Sequence, residues 1–258
     1  MSEKSYKQKQ ERKRIVKIVE PKDRIIVALD VHTLLEAEQL VETLAPYVGC
    51  FKIGLQLITS VGTPQIVKMI HSRGGQVFLD GKFNDIPNTL GEAAAAASGL
   101  GVAMFNVHAS SGIEGMQAVA QNKGSSEALA VTVLTTFEEN NAHLVFGAPS
   151  KAKVIQFARD AKLAGMDGLI CSPQELPILC KQKELEGLSF VTPGVRPSWA
   201  DVGDQKRIMT PTDAIIAGAT MLVIGRPITK PPKSIGNPID AAKRIIAEIE
   251  EGLQRRNV

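Results

Sequence analysis

Eight short apolar runs recur along the chain, at 24–29, 50–54, 76–79, 102–108, 128–134, 167–172, 189–194 and 221–225. None alternates cleanly between apolar and polar positions, which predicts strands buried on both faces. The intervening stretches carry helix signals. Thr33-Leu34-Leu35-Glu36 has capping-box form and opens an amphipathic helix running to about Tyr47. Thr63-Pro64 reads as a cap followed by proline at the first helical position, with Gly74-Gly75 as the stop. Five alanines at 93–97 form a strong helix that packs closely on a sheet. Ser110 or Ser111 caps the next helix. After a long loop, Ser150 caps one over 151–166, and Thr210-Pro211-Thr212-Asp213 and Asn237-Pro238 open the last two.

Helical crossovers between such strands predict a parallel sheet, and eight units closing on themselves make an α/β (β/α)8 TIM barrel, a single domain over 21–258. An open doubly wound sheet is the alternative. No G-x-G-x-x-G follows the first strand, which weakens that alternative as a dinucleotide binder. A length of 258 residues suits one such barrel, and 44% hydrophobic with only 4% aromatic residues predicts an aliphatic core.

The formal charge of +3 misleads, because residues 1–17 hold seven lysines and arginines against two glutamates. The rest of the chain is slightly acidic. Residues 1–20 therefore read as a basic, solvated N-terminal extension, and the body lacks the basic surface of a nucleic-acid binder. No apolar leader precedes the first strand, and the longest small-apolar stretch, 93–107, is broken by Ser98, Gly99 and Asn106, so no membrane association is expected. Cys50, Cys171 and Cys180 are odd in number and lack C-x-x-C spacing, so they read as buried thiols of a cytoplasmic protein. His32, His71, His108 and His143 lie far apart without metal-ligand spacing, and no metal is expected.

Charges collect where the strands end: Asp30, Lys52, Asp80 with Lys82, His108, Arg196 and Arg226. In a barrel these positions converge on one mouth, where active sites lie. Asp80 and Lys82, two apart on a strand, point the same way. Asp85 follows just before Pro87, which suits a helix start. Carboxylates on either side of Lys82 favour its ammonium form, suited to donating a proton rather than to forming a Schiff base. Arg226 after Gly225 is either a surface ion-pair partner or a phosphate ligand, and the loops after strands seven and eight are common phosphate sites. The unpatterned loop from Arg196 to Met209 has the length of a lid. His108 reads as a residue held within the fold, and Asn88 as a cap of the turn before its helix.

The stretch Asp80-Gly81-Lys82-Phe83-Asn84-Asp85-Ile86-Pro87-Asn88-Thr89 closely resembles the orotidine 5′-phosphate decarboxylase signature D-x-K-x-x-D-I-P-N-T. Segments 25–30, 51–54, 106–110, 131–135, 192–197, 203–209 and 223–226 also resemble that family's, in its order. The resemblance implies a barrel that removes CO2 from orotidine 5′-phosphate to give uridine 5′-phosphate, the last step of de novo pyrimidine nucleotide synthesis, without a cofactor. Lys82 would protonate C6 of the base, with Asp80, Asp85 and Lys52 completing the catalytic set. The phosphate would lie on Gly225, Arg226, Arg196 and Gln205, and the ribose on Asp30 and Lys52. Thr135 or Thr136 would meet the base. Asp85, Ile86 and Thr89 also belong to the implied substrate site, and Asp85 and Thr89 would reach a neighbouring subunit's site in a homodimer. Two alternatives share features with this reading: a Mg2+-dependent sugar-phosphate branch with the same D-x-K-x-x-D core, and a non-catalytic phosphate-binding barrel. The I-P-N-T continuation and the Gln205 segment match the pyrimidine branch.

Overall fold

The computed structural model describes residue 18, residues 20–200 and residues 209–256. Eight strands, β1 (Ile25–Ala28), β2 (Cys50–Ile53), β3 (Val77–Phe83), β4 (Met104–His108), β5 (Glu127–Val131), β6 (Gly168–Ile170), β7 (Ser189–Thr192) and β8 (Met221–Ile224), pair in sequence order. Every pairing is parallel, and β8 returns to β1, closing the barrel. Outside lie α1 (Leu34–Leu44), α2 (Leu55–Ser60), α3 (Thr63–Ser72), α4 (Pro87–Gly99), α5 (Gly112–Asn122), α6 (Glu139–Phe146) and α7 (Ser150–Ala164). They are followed by α8 (Leu176–Leu179), α9 (Pro211–Ala217), α10 (Arg226–Thr229) and α11 (Pro238–Arg256).

The period of two along each strand divides the core. Outward residues such as Ile25, Val27, Phe51, Val77, Leu79, Phe105 and Leu222 pack with the helices. Inward residues Ile26, Ala28, Cys50, Phe78, Met104, Leu129, Val191, Met221 and Val223 fill the barrel. One step of two further along the same face lie Asp30, Lys52, Asp80, Asn106, Val131, Pro193 and Gly225. The far end of the barrel holds buried Glu127 and Ser189 on the same faces of β5 and β7. The interior layer directly beneath the mouth is thus apolar, and the layer above it carries the site's charges.

Strand β3 departs from regularity at that layer. Its register against β4 runs Phe78 to Met104 and Leu79 to Phe105, then jumps to Phe83 opposite Val107. Asp80, Gly81 and Lys82 therefore face one β4 residue, Asn106, across a bulge. Gly81 fits because a Cβ there would stand 2.7 Å from the Phe83 ring.

The capping predictions divide. Thr33 and Glu36 form their capping box, Thr210 caps α9, and Asn237 accepts from the N–H groups of Ile239 and Asp240. Thr63 and Ser150 are the first helical residues rather than the caps, since Gly62 and Pro149 precede them; the Ser150 N–H is instead taken by Glu139 Oε1 at 2.9 Å. The expected long loop before Ser150 contains α6, which ends on Gly147 at φ 69°. Strand β3 extends beyond the expected 76–79 through Phe83. Cys50 and Cys171 are buried free thiols, but Cys180 is exposed, because it follows the short α8 at the barrel's outside. No helix among the described residues is long and apolar enough to cross a membrane. The basic extension lies outside the described residues except at positions 18 and 20.

Candidate active site

Four charges of alternating sign form a continuous array at the mouth. Lys52 on β2 lies 3.3 Å from Asp30 and 3.2 Å from Asp80, and Lys82 Nζ lies 2.7 Å from Asp80. The β1–β2 and β2–β3 pairings bring the first three together, and the bulge swings Lys82 in beside them. Gly54 leaves room for the Lys52 ammonium, since a Cβ there would come within 2.9 Å of Nζ. The Lys52 and Asp80 side chains retain 11% and 10% of their exposure, whereas Lys82 retains 34%, so Lys82 is the member of this central trio most open to a ligand.

Burial pushes the Asp80 carboxyl upward in pKa, but the charges of Lys52 and then Lys82, with hydrogen bonds from Lys82 and Asn106, outweigh it. The net direction is down, and Asp80 is a carboxylate at neutral pH. His108 at the end of β4 moves down too, through burial and then the Lys82 charge, partly offset by Asp80, and is a neutral imidazole at pH 7. It lines neither cavity described below.

Two adjoining cavities share Lys52, Pro193 and Val223. The first, about 170 Å³, has Lys52, Asp80, Lys82, Asn106 and Thr135 around an apolar floor that includes Phe78, Val131, Ile170 and Cys171. The second, about 220 Å³, is lined by Asp30, Lys52, Gly194, Arg196, Gly225 and Arg226. Neither alone reaches the ~300 Å³ at which small-molecule sites begin, whereas the two joined do. Burial, then the Arg226 charge, lowers the Arg196 pKa from its ordinary value. An anion placed between these two guanidiniums relieves their repulsion and meets planar donor forks. The second cavity therefore suits a phosphate, and the first a largely apolar group lying beside Lys82.

Of the residues expected from sequence, Asp30, Lys52, Asp80, Lys82, Thr135, Arg196, Gly225 and Arg226 line these cavities. Thr136 is exposed and lines neither, which separates the two hydroxyls. Asp85, Ile86, Asn88 and Thr89 are exposed around the start of α4 and line neither cavity, and Asp85 Oδ1 accepts the Ile86 N–H at 2.7 Å. Gln205 lies outside the described residues. The base of its loop is pinned by the Arg196 N–H donating to the Met209 carbonyl at 3.0 Å. Sequence reasoning gave no role to Asn106 or to the apolar floor. Asn106 left a signal, a carboxamide in the middle of an apolar strand, and the floor residues left none.

A closed parallel barrel whose strands deliver an alternating charge array and an arginine-lined anion pocket to one mouth belongs to the class of (β/α)8-barrel enzymes. A sequence profile described as the Orotidine 5′-phosphate decarboxylase / HUMPS family matches residues 23–245, and the chain belongs to that family. A Geotalea uraniireducens protein named orotidine 5′-phosphate decarboxylase is 46% identical over 238 residues, 89% of this chain and 96% of that one. A Moorella thermoacetica protein of the same name is 46% identical over 242 residues, 89% of this chain and 93% of that one. The crystal structure of orotidine 5′-phosphate decarboxylase from Lactobacillus acidophilus superposes with a TM-score of 0.74 at 30% identity, covering 87% of this chain and 98% of that one.

Proposed function

We propose that this protein converts orotidine 5′-phosphate to uridine 5′-phosphate and CO2 in pyrimidine nucleotide synthesis. The observation that carries this reading is the placement of Lys82, the most open member of the Lys52–Asp80–Lys82 trio, over an apolar cavity that adjoins the arginine pocket. The phosphate binds Arg196 and Arg226 with Gly225, joined by Gln205; the ribose hydroxyls meet Asp30 and Lys52; the base lies on the apolar floor near Thr135.

The C6–carboxylate bond breaks, its electron pair stays on C6, and CO2 leaves. Lys82 Nζ faces the developing carbanion, stabilises it electrostatically and transfers a proton to C6; the amine then regains a proton from solvent. Asp80 holds the Lys82 ammonium beside the reacting carbon before the step. A single charge pair at ~4 Å supplies about 4 kcal/mol at an effective dielectric near 20, against the ~8–23 kcal/mol that enzymes supply in total. Phosphate binding remote from C6 contributes the rest of the positioning.

The enzyme acts as a homodimer in the cytoplasm and uses no cofactor. Exposure of Asp85, Ile86 and Thr89 in the single chain supports their service in a neighbour's site, and the buried free thiols Cys50 and Cys171 fit a reducing compartment. The test follows orotidine 5′-phosphate by its ultraviolet absorbance, before and after exhaustive EDTA. Equimolar uridine 5′-phosphate and EDTA-resistant turnover are expected. Folded protein that consumes no substrate refutes the reading, and activity lost to EDTA and restored by Mg2+ contradicts its cofactor-free chemistry.

A further inference from the structure

Asn106 takes no part in the scheme above, yet both ends of its carboxamide are engaged at the reaction centre. Its Oδ1 accepts the Lys82 backbone N–H at 2.7 Å, and its Nδ2 donates to Asp80 Oδ1 at 2.7 Å. The same Asp80 oxygen accepts from Lys82 Nζ. These partners fix the amide's orientation, since the flipped amide would set donor against donor and oxygen against carboxylate. The residue is 1% exposed. An apolar side chain would fill this place in the barrel without serving either partner.

The need for a carboxamide arises from the bulge. Opposite Asn106, β3 carries three residues, and Lys82 is the one non-glycine residue among those described with positive φ, at 47°. L side chains disfavour that conformation, so it persists only where surrounding structure holds it. A backbone N–H lifted off the ladder in a buried setting requires another acceptor. Asn106 Oδ1 supplies it, and from the same rigid strand Nδ2 fixes the carboxylate that grips the Lys82 ammonium.

We propose that Asn106 is a positioning residue, a brace that holds the Lys82 backbone in its left-handed turn and the Asp80 carboxylate in line, so that the ammonium faces the reacting carbon. This rests on the decarboxylase reading. The brace acts after binding, because none of its bonds reaches the phosphate or ribose pocket. Displacement of a proton donor by about 1 Å costs on the order of a hundredfold in rate.

Two variants separate the brace from a packing role. Asn106→Ala removes both bonds. Asn106→Asp keeps an acceptor for the Lys82 N–H and replaces the donor to Asp80. In folded protein, each is expected to lower kcat about ten- to hundredfold while KM and the affinity for uridine 5′-phosphate stay within about threefold. Asp80 loses a donor that favours its charged form, so the acid limb of kcat moves to higher pH in both. Amide exchange at Lys82 is read independently of turnover: it accelerates in Asn106→Ala and stays slow in Asn106→Asp. A kcat within twofold of wild type, or a loss tracking the unfolded fraction with the acid limb unmoved, overturns the proposal. Unaltered Lys82 exchange in Asn106→Ala overturns it as well. Wild-type protein inactive on orotidine 5′-phosphate refutes the decarboxylase reading instead, and the exchange rates then decide the brace alone.

Discussion

Replacing Asp80 with asparagine preserves side-chain shape and removes the negative charge between two ammonium groups. Those groups lie 3.2 Å (Lys52) and 2.7 Å (Lys82) from the carboxylate. At an effective dielectric near 20, the two attractions amount to roughly 5 and 6 kcal/mol before desolvation. Withdrawing the three ions from water offsets several kcal/mol for each deeply buried one, and less for the more open Lys82. The direction of the Asp80 acidity shows which side prevails: burial favours the neutral acid, and the two lysines with their hydrogen bonds outweigh it. Removing one member of such a buried set costs about 3–5 kcal/mol. Asp80→Asn is therefore expected to be about 3 kcal/mol less stable at pH 7, a Tm lower by roughly 6–12 °C for a chain of this size. Urea unfolding at one protein concentration measures it as a lower midpoint with unchanged slope. Because the folded carboxyl is more acidic than its unfolded value of about 3.9, its contribution is present above that pH. It is lost as pH falls through the folded value, so the gap between wild type and variant should narrow in acid. A variant equally or more stable at pH 7 would show that desolvation of Asp80 outweighs its pairs; a gap unchanged in acid would show that the cost is not electrostatic.

Two further outcomes test the rest of the site. Arg226→Ala should weaken uridine 5′-phosphate binding at least tenfold and uridine binding less than twofold; equal losses for both ligands would remove Arg226 from the phosphate site. Lys82→Ala and Asp85→Ala proteins should each be nearly inactive, and activity should return when they are mixed and exchange subunits, because one site per heterodimer has both residues intact. Demonstrated exchange without recovery would confine Asp85 to its own chain's surface, where it accepts the Ile86 N–H.

The barrel was legible because each strand is buried on both faces and reads as a continuous apolar run, with glycine, proline and capping residues between runs. The convergence of Asp30, Lys52, Asp80, Lys82, Arg196 and Arg226 followed from parallel strands alone, since such strands point one end of every run at the same mouth. The β3 bulge was not legible. Alternation placed Lys82 beside Asp80, but the positive φ that turns it there depends on Asn106 from another strand, a contact no local pattern encodes. Helix α6 was missed because Glu139-Asn140-Asn141 opens it with polar residues, though Gly147 in a left-handed turn marks its end. Val131, Ile170 and Cys171 read as core residues rather than as a pocket floor, because a pocket floor and a packed core use the same side chains.

Turnover in D2O by wild-type and Lys82→Ala proteins tests most directly whether Lys82 donates the proton to C6. Wild type should yield uridine 5′-phosphate carrying one deuterium at C6, with no covalent adduct after borohydride treatment in the presence of substrate. Lys82→Ala should abolish turnover while keeping affinity for uridine 5′-phosphate within roughly tenfold, about 1.4 kcal/mol. A trapped lysine adduct, or substantial decarboxylation by the alanine variant, would contradict that assignment.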